Sequence, residues 1–165
     1  MLHSIYQSPI GTLYFWFEDE KLVYASFDEE HGKGWVSKRI PDKTARMGTL
    51  PAELEGALAA YFSGRKVDWT FPLKLYGTPF QVSVWREIQN IKHGEVSTYK
   101  QIGAAINSKA YRAIGQAVGA NPISVIIPCH RVLGTNWLGG YGGGINRKRL
   151  LLELENVSLA PNFFA

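Results

Sequence analysis

The pattern of apolar residues changes near residue 76, and this change constrains the fold more than any other feature of the chain. Before that point apolar and polar residues alternate, which is the period of a β-strand with one buried face. After it, Thr78 stands three residues before Gln81, and Thr98 stands three residues before Gln101. This spacing is the capping box that opens a helix. The sequence therefore predicts an α+β protein with a small antiparallel sheet and a helix in its first half and mostly helices in its second.

The first half is predicted to be a small α/β scaffold domain over residues 1–75. Its expected elements are a β-hairpin within residues 4–27 with the turn at 18–21, a mostly loop segment with room for one short helix at 28–50, a helix at 51–63 and a strand at 67–71. No cluster of side chains suited to catalysis stands out in this half.

The second half is predicted to be a separate domain over residues 76–165, with the boundary near residues 75–77. Its expected helices are one that starts at Thr78, two short ones at 98–106 and 109–119, and a final one that Asn146 caps and that faces the core with Leu150, Leu151 and Leu154. The two short helices have helix-turn-helix proportions. Antiparallel helix pairs are common, so this spacing alone does not establish DNA binding.

Small residues dominate the helix expected at 109–119, which includes Ala110, Ala113 and Gly115. A glycine inside a helix costs roughly 1 kcal/mol relative to alanine, so another surface is expected to approach this helix closely. That surface is either a neighbouring element of the protein or a narrow DNA groove. Arg112 projects from the start of the helix, where an exposed arginine can reach phosphates or the base stack. Taken alone, Arg112 is more typical of an ordinary surface residue, but its setting in this helix favours a function.

The charge is distributed unevenly along the chain. Residues 1–75 carry nine Lys/Arg against ten Asp/Glu, whereas residues 76–165 carry nine against four, within a formal net charge of +4. A basic half suggests that it meets a polyanion, and a solvated basic face is the alternative.

The composition excludes several classes of protein. No apolar run approaches the roughly 20 residues of a membrane span, and the N-terminus lacks a basic segment followed by an apolar one. A single cysteine can form neither an internal disulfide nor a cysteine-rich zinc site, so a reducing cytosol fits best. We therefore expect a cytoplasmic protein with no metal, no cofactor and no membrane partner.

The one cysteine, Cys129, is followed at once by His130, which places a nucleophile beside a possible base. An unperturbed thiol pKa of ~8.5 leaves little thiolate at neutral pH, so activation requires a base or a positive environment. Adjacent residues on a strand point to opposite faces, so their contact requires a turn or a water molecule. The alternative is a small buried thiol beside a structural histidine.

A histidine base works better when a carboxylate holds its tautomer. Four acids follow residue 75, namely Glu87, Glu95, Glu153 and Glu155. Glu155 is the best candidate, although the sequence alone does not separate it from Glu153. The glycine-rich run at 138–144 lacks the Gly-Lys-Ser/Thr ending of a phosphate-binding loop. It is either a flexible connector or a lid that carries Tyr141 over a flat ligand.

The run at 121–132, which ends in Pro-Cys-His-Arg-Val, closely resembles the active-site signature of the O6-alkylguanine-DNA alkyltransferases, also called methylated-DNA–protein-cysteine methyltransferases. Arg-Ala-Ile-Gly at 112–115, Thr-Tyr-x-Gln at 98–101 and the glycine loop match in the same order. The resemblance is strong over residues 76–157 and looser over the first half.

This resemblance implies a repair protein that acts on double-stranded DNA containing O6-alkylguanine, and on O4-alkylthymine. Its helix-turn-helix would bind the minor groove as a monomer and rotate the damaged base out of the duplex. Cys129 would accept the alkyl group irreversibly, once per molecule. His130 would activate it through a water molecule, with Glu155 behind the imidazole.

The resemblance also assigns roles to other positions. Arg112 matches the residue that replaces the extruded base in the stack, and Tyr99 matches the phenol that donates a proton toward guanine N3. Asn121 matches the residue that orders the turn before the active-site strand. The remaining expected contacts are the aromatic wall Tyr141 and the backbone at Val132 and Gly142 for the base, and Ala110, Tyr111, Ala113 and Gly115 for DNA.

The chain departs from the family pattern in several places. Tyr111 is bulkier than the small residue expected beside the arginine, and Gly142 replaces a frequent serine, which removes a hydroxyl contact but not a backbone one. The cysteine-rich domain of adaptive-response relatives is missing, so phosphotriester repair and transcriptional activation are not implied. The structural zinc of some relatives lacks cysteine ligands here.

Two other functions remain as alternatives. Alkyltransferase-like proteins bind the lesion without repairing it, but they carry tryptophan in place of the cysteine. A thiol hydrolase or peptidase would need an oxyanion site and would turn over repeatedly.

Overall fold

The computed structural model describes residues 1–164, which divide into two compact units. The first unit contains Met1–Tyr76 together with Pro122–Ser124, and the second contains Gly77–Asn121 and the chain from Val125 onward. The first is built on an antiparallel sheet and the second is mostly helical, which confirms the predicted α+β class.

The first unit is a four-stranded sheet with two helices. Its elements are β1 (Leu2–Ser8), β2 (Gly11–Glu18), β3 (Lys21–Ser26), α1 (Glu29–Arg39), β4 (Arg46–Met47) and α2 (Ala52–Phe62). The strand order is β3-β2-β1-β4, with the first three antiparallel and β4 parallel to β1. The predicted hairpin is confirmed as β2–β3. Asp19 and Glu20 form its two-residue turn with φ of 49° and 62°, as a type I′ turn requires.

Helix α1 corrects the expectation of a mostly loop segment at 28–50. Asp28 caps it by accepting a hydrogen bond from the His31 N–H at 2.9 Å. Its Trp35 and Val36 pack on the sheet beside Trp16. Two glycines in the segment argue against a helix by propensity, but packing on the sheet outweighs this cost.

The predicted strand at 67–71 is wrong, because this segment pairs with no strand. Its alternation arises from ring packing instead. Trp69 lies 5.3 Å from the ring of Tyr61, and Phe71 lies 5.7 Å from the ring of Phe17. Alternating apolar residues show only that one side of an extended segment is buried. They do not require that the segment pairs with a neighbouring strand.

The second unit carries four α-helices and a short parallel strand pair. Its elements are α3 (Pro79–Gln89), β5 (Ser97–Thr98), α4 (Tyr99–Ala105), α5 (Tyr111–Gly119), β6 (Val132–Leu133) and α6 (Ile145–Leu154), with 3₁₀ turns at Cys129–Arg131 and Pro161–Phe164. Both predicted capping boxes are confirmed at the starts of α3 and α4. They satisfy N–H groups that a helix start would otherwise leave unbonded.

Helices α4 and α5 form the helix-turn-helix, and Gly103 permits their close approach. A Cβ atom at Gly103 would lie 2.6 Å from the backbone oxygen of Ser108 in the turn and 2.9 Å from Cδ1 of Ile114 in α5, closer than Cβ atoms normally approach other atoms. The apolar side of α5 is buried through Ile114 and Val118, whereas Arg112 is exposed at its start.

The final helix starts differently from the prediction. Gly144, with φ of 93°, precedes α6, and Asn146 lies within the first turn rather than at the cap. Leu150 is 44 % exposed, so its predicted place in the core is also wrong. Leu151 is buried as predicted, and Leu154 is half-buried. The buried face also carries Leu152 and Lys148. No helix within residues 1–164 is long and apolar enough to cross a membrane.

We expect the substitution Gly32→Ala to destabilise the protein by about 1–3 kcal/mol, because the new methyl group would overpack a filled core. Its Cβ atom would lie 2.3 Å from the ring of Trp16, which is 1 % exposed and cannot move aside. Urea unfolding measures the change.

The matched control is Gly34→Ala in the same helix, where a Cβ atom meets nothing within 4 Å. That variant should be more stable by roughly 0.5–1 kcal/mol through helix propensity. Equal effects of the two substitutions would contradict the packing described for α1.

Candidate active site

Cys129 lies in a 3₁₀ turn, which is one of the two arrangements that the sequence leaves open. Pro128 has φ of −81° and ψ of 62°, and the Cys129 N–H donates to the Ile127 carbonyl at 2.8 Å, which is an inverse γ-turn. In a 3₁₀ turn consecutive side chains diverge by about 120° rather than alternating between two faces. The thiol and the imidazole therefore point in different directions without lying on opposite sides of a sheet.

The segment that leads into this turn is held in an unusual conformation. Val125 has a φ of 71°, a region that a β-branched side chain rarely adopts. Asn121 supports the segment, since its side-chain amide donates to the Ile127 carbonyl at 2.8 Å. Such outliers persist only where surrounding contacts fix them, and they are common at functional sites.

A buried carboxylate binds both residues that follow the cysteine. His130 Nε2 lies 2.9 Å from Glu155 Oε1, and Arg131 donates to the same carboxylate through Nε at 3.0 and 3.1 Å and through Nη2 at 2.6 Å. Arg131 Nη1 also donates to the Ile91 carbonyl at 2.6 Å. His130, Arg131 and Glu155 are 0 %, 3 % and 2 % exposed.

These contacts decide the protonation states of His130 and Glu155. Burial raises the pKa of Glu155, but the hydrogen bonds from His130 and Arg131 outweigh it and lower this pKa to about 2. Burial lowers the pKa of His130 below its usual value, against the opposing effect of Glu155. At neutral pH the pair is therefore a neutral imidazole beside an ionised carboxylate.

Burial opposes ionisation of the Cys129 thiol, whereas its neighbours favour it. Cys129 is 7 % exposed, and this burial raises its pKa. A hydrogen bond from the Asn121 side chain and the positive charge of Lys148 act in the opposite direction. Neutral pH therefore favours the thiol, and forming the thiolate requires a group that takes its proton.

Sequence reasoning missed Lys148, which is 0 % exposed. Its ammonium donates to the Val132 carbonyl at 2.6 Å and to the Gly140 carbonyl at 3.0 Å. The signal in the sequence is a lysine three and four residues before Leu151 and Leu152, on the apolar face of a helix. Arg131 was also given no role of its own, although it binds Glu155 with two nitrogens.

Two tyrosines lie at the same site. Tyr99 begins α4 directly after β5, whose Ser97 pairs with Val132 of β6. Burial raises the pKa of Tyr99, and a hydrogen bond with the Gly140 backbone opposes the shift. The ring of Tyr141 packs edge to face on His130 with centroids 6.3 Å apart.

The structure thus groups the predicted catalytic positions in one unit. Asn121, Cys129, His130 and Glu155 form a chain of contacts, and Tyr99 and Tyr141 adjoin it. The predicted base-contacting positions differ in accessibility, since Val132 is buried and Gly142 is exposed.

The predicted DNA-binding positions lie at the start of α5. Ala110, Tyr111 and Arg112 are exposed, and Ala113 and Gly115 are half-buried. Within residues 1–164, no group of three or more His, Cys, Asp or Glu side chains is placed to hold a metal ion.

A helix-turn-helix in the same unit as a cysteine backed by a His–Glu pair defines a class of DNA-binding proteins with a nucleophilic thiol. Residues 79–157 match the family model described as "6-O-methylguanine DNA methyltransferase, DNA binding domain", and residues 1–75 match "6-O-methylguanine DNA methyltransferase, ribonuclease-like domain". The chain belongs to the 6-O-methylguanine DNA methyltransferase family. It is accordingly a DNA-binding methyltransferase of DNA repair.

Individual relatives agree with this assignment. A methylated-DNA–protein-cysteine methyltransferase of Haemophilus influenzae is 39 % identical over 95 % of this chain and 87 % of its own length. One of Methanosarcina acetivorans is 40 % identical over 94 % of this chain and 98 % of its own. The crystal structure of Mycobacterium tuberculosis OGT in complex with DNA is 37 % identical, covers 100 % of both chains and superposes with a TM-score of 0.82.

We expect Glu155→Gln to destabilise the protein by about 3–5 kcal/mol at neutral pH, because the substitution leaves the buried Arg131 charge uncompensated. The folded pKa of Glu155 is about 2, below its unfolded value, so the stability that it contributes is lost as pH falls from about 4.5 toward 2. The difference in unfolding free energy between wild type and variant should therefore shrink over that range. Urea unfolding at a series of pH values measures it.

Glu18 also contributes to the pH dependence of stability, because hydrogen bonds from Lys43, Lys74 and Tyr76 lower its pKa to about 2. This contribution is the same in wild type and variant, so it cancels in their difference. The control is Glu153→Gln, since Glu153 is exposed on the same helix and its loss should change stability by less than about 0.5 kcal/mol. A pH-independent difference for Glu155→Gln would contradict the ion cluster.

Proposed function

We propose that this protein repairs O6-alkylguanine in duplex DNA, and also O4-alkylthymine, by transferring the alkyl group to Cys129, with each molecule acting once. The observation that carries this proposal is the thiol on a 3₁₀ turn whose next residue, His130, is bonded to the buried Glu155. The helix-turn-helix in the same unit supplies the means to bind DNA.

The chemistry is an in-line displacement at an sp³ carbon. The thiolate sulfur of Cys129 forms a bond to the alkyl carbon, the bond from that carbon to O6 breaks, and guanine leaves with the electron pair. Guanine takes up a proton as it leaves. The product is a thioether, which offers water no carbonyl to attack, so the protein is not regenerated.

His130 removes the thiol proton through a water molecule. Because Nε2 faces Glu155, the nitrogen that acts on this water is Nδ1. Glu155 remains ionised and stabilises the imidazolium that forms, as the carboxylate of a catalytic triad does.

Tyr99 supplies the proton that the leaving guanine takes at N3. Burial raises its pKa, which keeps the phenol protonated at neutral pH. Protonating the departing base lowers the barrier because negative charge develops on it as the carbon–oxygen bond breaks.

The guanine pocket is formed by backbone and one ring. Tyr141 forms its aromatic wall, and the backbone at Val132 and Gly142 contacts the base. Asn121 orders the turn that carries the acceptor, which its hydrogen bond to the Ile127 carbonyl supports.

Helix α5 enters the minor groove and the damaged nucleotide rotates out of the duplex. The small residues Ala110, Ala113 and Gly115 allow the backbone to approach DNA closely, while Tyr111, which is 43 % exposed, adds bulk there. Arg112 occupies the space that the base leaves in the stack. The enzyme thereby replaces stacking that base extrusion removes.

We expect mass spectrometry, after incubation with duplex DNA containing O6-methylguanine, to find one methyl group on Cys129 in place of the thiol hydrogen. One lesion should disappear per protein molecule, and Cys129→Ser should remove none. Lesion binding by wild type without methylation would instead indicate a binding protein, and repeated turnover of a carbonyl substrate would indicate a hydrolase.

We expect Arg112→Ala to slow repair of duplex DNA by about 10-fold or more, since losing a group that stabilises the extruded state costs at least about 1.4 kcal/mol. Its rate on the free base O6-methylguanine should stay unchanged, because that substrate needs no extrusion. Single-turnover kinetics on both substrates measure the two rates.

The control is Lys109→Ala, which removes an exposed charge three residues earlier. We expect Lys109→Ala to lower the repair rate on duplex DNA less than Arg112→Ala does, because a phosphate contact affects binding more than extrusion. If Arg112→Ala lowered the rate equally on duplex DNA and on the free base, the proposed role of Arg112 in the base stack would be wrong.

A further inference from the structure

Trp137 is an exposed aromatic residue that the proposed chemistry does not use. Its side chain is 60 % exposed, and the other four tryptophans, all within the described residues, are buried or half-buried. Single exposed apolar side chains are common on protein surfaces, so exposure alone does not make a binding site. The position of Trp137, its support and the surrounding charge indicate what it contacts.

The loop at 134–137, which ends in this tryptophan, joins the helix-turn-helix to the proposed base pocket. Strands β5 and β6 are parallel, and Thr98 pairs with Leu133. The loop that leaves β6 and helix α4 that follows β5 therefore start at the same edge. After the loop, a Cβ atom at Gly139 would lie 2.9 Å from the Tyr99 hydroxyl. The loop thus begins beside the start of α4 and ends two residues before a contact with the proposed proton donor.

The indole of Trp137 is supported by the backbone of its own loop. A Cβ atom at Gly134 would overlap Nε1 and Cδ1 of Trp137, so the pyrrole ring rests directly on this glycine. The loop is anchored at both ends, because Leu133 and Leu138 are buried in one apolar cluster. A ring held in this way loses little conformational freedom when it binds a ligand.

The charge around the loop fits a polyanion. No Asp or Glu lies between Glu95 and Glu153, whereas the same stretch carries seven Lys/Arg. Lys100, in the first turn of α4, is exposed near the start of the loop. An acid-free basic surface attracts phosphates, and nucleic-acid bases stack on aromatic side chains. DNA is therefore the ligand that both the charge and the indole suit.

We propose that Trp137 binds the DNA strand that carries the lesion, with its indole stacked on the nucleotide next to the extruded one. This inference rests on the proposed function in placing the damaged base beside Tyr99. A base in that pocket remains joined to its strand, so the neighbouring nucleotide lies at the entrance, where the indole is exposed. Trp137 and Arg112 then act on different parts of the DNA, since Arg112 fills the gap in the duplex and Trp137 holds the displaced strand.

The test compares binding to a single strand and to a duplex that each contain one O6-methylguanine. All proteins carry Cys129→Ser, so that no methyl group is transferred while fluorescence anisotropy measures the Kd. Trp137→Ala should raise the Kd about fivefold or more for both DNA forms, the lower end of the loss of one base–aromatic contact. Trp137→Phe keeps a ring and should recover most of the affinity. Arg112→Ala should weaken binding to the duplex more than to the single strand, which has no gap to fill.

The matched control is Leu150→Ala, which removes another exposed apolar side chain of the same unit. Leu150 and the buried Leu152 are two positions apart on α6, so they point to nearly opposite sides of that helix. Leu150→Ala should leave the Kd for both DNA forms unchanged. A Kd for Trp137→Ala equal to that of the Leu150→Ala control would overturn the proposal.

A second variant displaces the indole without removing it. Gly134→Ala puts a methyl group where the pyrrole ring lies, so it should weaken DNA binding as Trp137→Ala does. Combining the two substitutions should cause little further loss, because both remove the same contact. Additive losses would mean that the indole does not bind DNA from its place on Gly134.

Two further measurements separate DNA binding from a structural role. With Cys129 intact, Trp137→Ala should react with the free base O6-methylguanine at the wild-type rate, because that substrate has no neighbouring nucleotide. A slower reaction would mean that Trp137 supports the pocket instead. In the protein with its native Trp137, the single strand should protect the exposed indole from acrylamide quenching of fluorescence. Unchanged quenching on binding would overturn the proposal even if the variants did not fold.

These outcomes are separable from those of the proposed function. DNA binding that depends on Trp137, without methyl transfer to Cys129 in the wild type, would refute the repair function and leave the DNA contact of Trp137 in place. Normal methylation of Cys129 with a DNA affinity that is independent of Trp137 would refute the role of Trp137 alone.

Discussion

The rest of the site depends on the contacts that the buried Glu155 carboxylate makes with His130 and Arg131. Taking an ionised carboxylate out of water costs several kcal/mol unless cations and hydrogen bonds replace the solvent. Here two consecutive residues, His130 and Arg131, replace it. Since Glu155 ends α6 and Arg131 also binds the Ile91 carbonyl, the turn that carries the sulfur is tied to two other parts of the unit.

The geometry of that turn then decides what each side chain can do. On a strand, Cys129 and His130 would lie on opposite faces, and a histidine bound to an inner carboxylate would be remote from the thiol. The γ-turn at Pro128 and the 3₁₀ turn after it remove this conflict. The positive φ of Val125 is the local strain that accompanies this arrangement, and the Asn121 hydrogen bond supports the same segment.

Much of the fold follows from short-range patterns. The capping boxes at Thr78 and Thr98 and the hairpin turn at residues 19–20 satisfy hydrogen bonds among residues a few positions apart, so they are readable without the tertiary structure. Helix α1 is not, because its glycines oppose a helix and Gly32 is explained only by the Trp16 ring against it. The alternation at 67–71 predicts a strand that is absent, because aromatic rings that pack on one side of an extended segment produce the same pattern.

The sequence by itself determined that a thiol and an imidazole would be neighbours behind a helix-turn-helix, because the order of residues along the chain contains that information. Only the tertiary structure decided which acid supports the histidine and that Lys148 is buried with its ammonium on the Val132 and Gly140 carbonyls. Glu153 and Glu155 differ by two positions on one helix, and their burial depends on where that helix ends and what packs on it. Electrostatic partners are chosen by distance through space, and the fold sets that distance.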